Sequence, residues 1–142
     1  MILPDDPRIA LIAESYRRLT GRDLVPADAD PATALWQAPQ AIVAHVTEPD
    51  PLFFFGNAAA RAAFETDFAA FTRMPSRLSA EAPLREERRL LLNRVSRDGF
   101  IDDYAGIRIS AKGRRFAISG ATVWNLIDEV GANLGQAAVF PI

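Results

Sequence analysis

Leu52-Phe53-Phe54-Phe55-Gly56-Asn57-Ala58-Ala59 reads as a strand that runs directly into a helix. Aromatic residues fit the pleated surface of a sheet, so Leu52 to Phe55 are expected to be extended. Asn57 then presents a side-chain oxygen that can cap a helix through Ala58, Arg61, Ala62 and Phe64. Working back towards the N-terminus, Ala41-Ile42-Val43-Ala44-His45-Val46 is a second strand, separated from the first by the turn Thr47-Glu48-Pro49-Asp50-Pro51. Asp30-Pro31 starts a short helix that carries Leu35 and Trp36 and stops at Pro39. Residues 22–34 form a polar connector interrupted by proline. Ahead of it, Ile9, Ile12, Tyr16 and Leu19 recur at helical spacing between Pro7 and Gly21, with Arg17 and Arg18 where the helix dipole favours cations. That apolar stripe must be covered, either by the core of the same chain or by a second copy.

Working forward, a short helical piece spans about Asp67 to Thr72, followed by the irregular run Arg73-Met74-Pro75-Ser76-Arg77-Leu78. Ser79 or its neighbours open a longer helix, roughly Leu84 to Arg97, with Leu84, Leu91 and Val95 on one face and Gly99 as its terminator. The last third is a meander. Tyr104 to Ser110 alternates, with Ile107 and Ile109 on one face and Arg108 and Ser110 on the other. A turn at Ala111-Lys112-Gly113 leads to a long strand region from Arg114 to Leu126. A second turn, Asp128-Glu129-Val130-Gly131, leads to Leu134–Phe140, and Pro141 ends the ladder. Two strands, a helical insertion and three antiparallel strands can close into one five-stranded sheet with the helices on one face. The class is α+β, with an N-terminal helix and connector at 1–34 and the main domain at 35–142.

Composition narrows the chemistry. The 142 residues hold 16 Lys and Arg against 18 Asp and Glu, so the formal charge of -2 provides no field for a phosphate backbone, and no nucleic-acid partner is expected. No run approaches the roughly 20 apolar residues of a membrane helix, and no signal-peptide pattern stands at the start, which favours the cytoplasm. Lys112 is the sole lysine, so the cations are almost all guanidinium forks. The absence of cysteine excludes disulfides, thiolate nucleophiles, iron–sulfur clusters and a cysteinyl–flavin adduct. No GxGxxG, Walker loop, HExxH, CxxC or EF-hand pattern occurs.

The element order is similar to that of PAS domains, with Leu52–Ala59 matching their strand-to-helix step. It resembles more closely the MEKHLA family, a PAS-related group. The resemblance is carried by Pro75-Ser76-Arg77-Leu78-Ser79-Ala80-Glu81, Arg85-Glu86-Glu87-Arg88, Gly106-Ile107-Arg108-Ile109-Ser110, Gly113-Arg114-Arg115-Phe116, Val123-Trp124-Asn125-Leu126 and Gly135-Gln136-Ala137-Ala138, over about residues 35–140. That family occurs in plant homeodomain–leucine-zipper regulators and in stand-alone bacterial proteins, and this chain resembles the stand-alone type. The resemblance implies a PAS-like sheet with a pocket beneath its helices, and a sensory module that dimerises through the N-terminal helix or the sheet. PAS relatives hold haem, flavin, small metabolites or nothing, so the cofactor stays unknown.

Several residues invite a ligand. His45 is the one imidazole, read either as a hydrogen-bonded histidine of the sheet, as a haem ligand, or as the base of a small enzyme. Arg77, Arg108, Arg114 and Arg115 would make an anion pocket if two converged, which points to an acidic metabolite; otherwise each pairs with a nearby carboxylate or faces water. The face Arg108 takes depends on strand register. Phe64 and Tyr104 are aromatic wall candidates. Trp36, Trp124 and Gln136 carry polar groups that need partners in an apolar interior. Asp102 and Asp103, adjacent on a strand, cannot converge without a bulge. The expected role is a non-enzymatic ligand-binding module, with a ligand-free interaction module as the rival and a His45 enzyme behind both.

Overall fold

The computed structural model describes residues 8–47, 52–75 and 82–141. The order is α1 (Arg8–Thr20), α2 (Pro31–Gln37), β1 (Ala41–Val46), β2 (Phe53–Gly56), α3 (Ala58–Ala63), α4 (Phe68–Phe71), α5 (Ala82–Asp98), β3 (Phe100–Ile109), β4 (Arg115–Ile127) and β5 (Asn133–Phe140). The five strands make one sheet in the order β2-β1-β5-β4-β3, antiparallel at every step. The last strand therefore closes against the first, and the helical insertion bridges the two outer strands.

Local chemistry explains the helix starts. Asp30 caps α2 by accepting from the Thr33 amide at 3.1 Å and the Thr33 hydroxyl at 2.9 Å, with Pro31 in the first turn. Asn57 does more than cap α3. Its Oδ1 accepts from the amides of Ala60 at 2.9 Å and Ile42 at 3.0 Å. Its Nδ2 donates to the carbonyls of Gln40 at 2.8 Å and Leu35 at 3.0 Å. One fully buried amide thus ties α2, β1 and α3 together. Gly99, at a φ of 92°, stops α5 by bonding back to the Val95 carbonyl. The two expected hairpin turns form around Ser110 and Asp128. The Ser110 hydroxyl and the Asp128 Oδ1 each accept two turn amides.

Alternation along the strands divides the core into two faces. Ile42, Ala44, Trp124, Leu126, Ala137 and Val139 point to one side, where Ile9, Ile12 and Tyr16 of α1 and Leu35 and Trp36 of α2 cover them. The apolar stripe of α1 is therefore used within its own chain. Trp124 meets Tyr16 edge-on at 4.9 Å and donates its indole N–H to the Ile12 carbonyl at 3.1 Å. The Ser15 hydroxyl is bonded to both the amide and the carbonyl of Ile127, at 2.9 and 3.3 Å. On the opposite side Ala41, Val43, Ile118, Val123 and Phe140 lie under Ala60 of α3, Phe64 just after it, Phe71 of α4 and Val95 of α5. Helices of the insertion thus lie on one face, as expected, and the N-terminal extension takes the other.

The exposed face of α5 carries paired charges: Arg89 with Glu86, Arg97 with Asp98 at 3.0 Å, and Arg94 with Asp103 at 3.8 Å. Among the described residues, no helix is long and apolar enough to cross a membrane.

Candidate functional site

Three buried polar side chains stand in a row on the α3–α5 face. His45 on β1 is opposite Gln136 on β5, which in turn is opposite Asn125 on β4. They share their face with Val43, Ala138, Val123 and Phe140, because residues two apart on a strand point the same way. His45 Nδ1 lies 3.0 Å from the Val46 carbonyl oxygen, which can only accept, so this nitrogen carries a proton. The ring sits edge-on to Phe53 at 6.4 Å. Gln136 Nε2 donates to Asn125 Oδ1 at 3.1 Å and to the Ser96 hydroxyl at 3.3 Å, and Asn125 Nδ2 donates to the Val95 carbonyl at 3.0 Å. The row is therefore bonded to α5 at two points. Gly135 makes the close packing of β1 on β5 feasible beside His45, because a Cβ there would collide with the His45 carbonyl oxygen.

The outer strand β3 supplies the other polar wall. The Tyr104 side chain reaches forward along the strand, and a Cβ on Gly106 would lie 2.7 Å from its hydroxyl. The guanidinium carbon of Arg108 stands 5.2 Å from the centre of the Tyr104 ring. Arg108 as a whole is half-buried, yet its Nη1 is shielded from solvent and has no hydrogen-bond partner among the described residues. Burial pushes its pKa below the ordinary arginine value, with Tyr104 opposing the shift; the group nevertheless stays a cation.

Between these groups lies a cavity of about 40 Å³, completed by Phe53, Phe64, Leu91 and Ile118. One water needs about 10–15 Å³ of such space, so the cavity has room for about three water-sized groups. It can hold a compact molecule with one polar end and one apolar end.

Of the residues the sequence singles out, His45, Phe64, Tyr104, Arg108 and Gln136 meet here. Trp36 and Trp124 do not. Both are buried on the α1 face, Trp36 against Phe55 and Phe68 with the Arg61 guanidinium 4.4 Å above its ring, and Trp124 against Tyr16. The partner an indole N–H requires is in Trp124's case the α1 backbone rather than a ligand. Arg77 lies outside the described residues. Arg114 is exposed and bonded to Glu65 at 2.8 Å, a partner far off in sequence, and Arg115 is exposed, so neither joins Arg108. The order of faces on β3 is the reverse of simple amphipathicity, since Ile107 is 39% exposed while Arg108 and Ser110 turn inward. A bulge does occur at Asp102 and Asp103, where Ile101 faces Val123 and Tyr104 faces Ala121. Both carboxylates are exposed there and bend to different cations, Arg22 and Arg94. Asn125 and Ser96 escaped sequence reading; the alternation of β4 could have placed Asn125 with Val123, but nothing local pairs Ser96 with the sheet. Among the described residues no three His, Cys, Asp or Glu side chains lie close enough to hold a metal ion.

The MEKHLA domain model matches residues 7–142, taking in α1 as well as the sheet. No curated protein matches the chain. Solved structures that share the fold include the PAS domain of a protein from Colwellia psychrerythraea, with a TM-score of 0.65 and 13% identity over 77% of this chain and 90% of that one. The light-state dimer of the fungal blue-light photoreceptor Vivid aligns with a TM-score of 0.64 and 14% identity, over 98% and 95%. The PAS domain, in complex with ethanol, of a LuxR-family transcriptional regulator from Burkholderia thailandensis aligns with a TM-score of 0.59 and 20% identity, over 78% and 96%.

Proposed function

The chain belongs to the MEKHLA domain family, and from that premise we propose that it is a PAS-like sensory module holding a small organic molecule between its sheet and helices α3–α5. The observation that carries this reading is the row His45–Gln136–Asn125, polar and buried in an otherwise apolar face, lining a cavity at one end and bonded to α5 at the other. A few polar side chains converging with apolar walls on one cavity are the usual make-up of a small-molecule site, where they fix the orientation of a ligand. A ligand that accepts from or donates to Gln136 competes with the bonds to Ser96 and Asn125. It thereby favours one seating of α5 over another, a population shift read out by a partner or a second copy. The likeness to the Vivid dimer and to the ethanol complex supports dimerisation and a few-atom ligand as the form this takes. Such a ligand is far smaller than haem or flavin. The protein is read as a cytoplasmic binder, not a catalyst.

Thermal shift and native mass spectrometry across a panel of small acids, alcohols and amides test the reading. A ligand present at a hundredfold excess over its Kd would add about 2.7 kcal/mol of stability. A panel without any stabilising or retained compound would replace this reading with a second one: a ligand-free interaction module, which the small cavity volume favours. Ala138→Leu separates the two. It should fill the cavity and abolish ligand stabilisation in a sensor, and leave an interaction module's behaviour unchanged.

A further inference from the structure

Surface arginines of the chain pair with carboxylates within 4 Å: Arg17 with Asp23, Arg22 with Asp102, Arg89 with Glu86, Arg94 with Asp103, Arg97 with Asp98 and Arg114 with Glu65. All of these cations are on the surface, with side chains about half or more exposed. Arg108 is the inverse case. Its Nη1 is walled off from water and no carboxylate approaches it among the described residues; Arg61, which also buries an unpartnered nitrogen, lies over Trp36 and away from the cavity. The acids nearest in sequence, Asp102 and Asp103, point outward to other arginines. Its one observed compensation is the Tyr104 ring at 5.2 Å, a weak substitute for the hydration it has lost. A guanidinium presents parallel N–H donors matched to the two oxygens of a carboxylate, and the cavity it lines has room for little more than that group and a short tail.

We propose that the cavity ligand is a short-chain monocarboxylic acid of acetate to propionate size, its carboxylate on the Arg108 guanidinium and its alkyl end against Phe53, Ile118 and Phe140. This rests on the sensory reading above and names the chemistry of its ligand. The ligand brings the missing counter-charge from solution, so occupancy and the electrostatic state of the pocket are the same event. Gln136, across the cavity, is the group through which that event reaches α5.

The test is calorimetric titration of the full chain with sodium propionate, propionamide and 1-propanol, which share size and differ in charge, at ionic strength matched with sodium chloride. Propionate should bind at least tenfold more tightly than either neutral analogue. Arg108→Met should lose that preference by tenfold or more while keeping 1-propanol, and Arg108→Lys should retain part of it. Without ligand, Arg108→Met should melt no lower than the wild type, because it removes an uncompensated buried charge; a marked loss of melting temperature would mean that the chain itself pairs Arg108, and would overturn the proposal. If the three compounds bind equally, the acid is the wrong class while the cavity reading survives. If none binds to the wild type, the short-chain acid is overturned, and the sensory reading is decided by the wider panel of acids, alcohols and amides.

Discussion

Both faces of the sheet carry a buried apolar core, but they treat their polar groups differently. On the α1 face the Trp124 indole and the Ser15 hydroxyl end on the backbone of the same chain, at Ile12 and Ile127, and Arg61, over the Trp36 ring, is the one group there with a buried nitrogen unpartnered among the described residues. On the α3–α5 face a cation is buried beside a cavity, and a row of amides is bonded to one helix through the Ser96 hydroxyl at 3.3 Å and the Val95 carbonyl at 3.0 Å. The first arrangement holds the fold; the second gathers polar groups on a cavity, which is where function is expected.

Substitutions should separate the faces by size and by sign. Trp124→Ala should cost most, about 4 kcal/mol in a urea titration, since it empties the centre of the α1 face and frees α1's carbonyl. A loss under 1 kcal/mol would show that this face is not the stabilising one. Asn57→Ala, at the junction of α2, β1 and α3, should follow at about 3 kcal/mol, because four backbone groups lose their partner at once. Ser15→Ala should cost about 1–2 kcal/mol and raise hydrogen exchange at the Ile127 amide; unchanged exchange there would detach α1 from the account. Gln136→Leu should cost about 1 kcal/mol, since it leaves the buried Asn125 Oδ1 without its donor. It should nevertheless abolish any ligand-induced change in the exchange of α5. If α5 still responds, the signal does not pass through this row.

Much of the architecture is legible in the residues themselves. The strand Phe53–Gly56 feeding the Asn57 cap, the Gly99 stop and the turns at Ser110 and Asp128 depend on local backbone chemistry, and each forms as written. The site is less legible because both faces of the sheet are covered. Period-two alternation sorts residues into two sets without saying which set meets which helix. Trp36 and Trp124 therefore look as eligible for the pocket as Phe64 and Tyr104, and only the packing of α1 and α2 decides against them. The same ambiguity hides Arg108. Polar strand residues ordinarily face water, but the bulges of β3 on β4, at Ile101/Tyr104 and Tyr104/Gly106, re-aim the strand before Arg108 is reached.

By itself, then, the order of residues determines five strands, their turns, the capped helices and the family, because periodicity and capping act over a few residues. Tertiary structure alone decides that α1 closes back on its own sheet, that Ser96 meets Gln136 from 40 positions away, and that an arginine between two isoleucines turns inward. These outcomes follow from the summed burial of whole faces and from register across strands, quantities that no single segment contains.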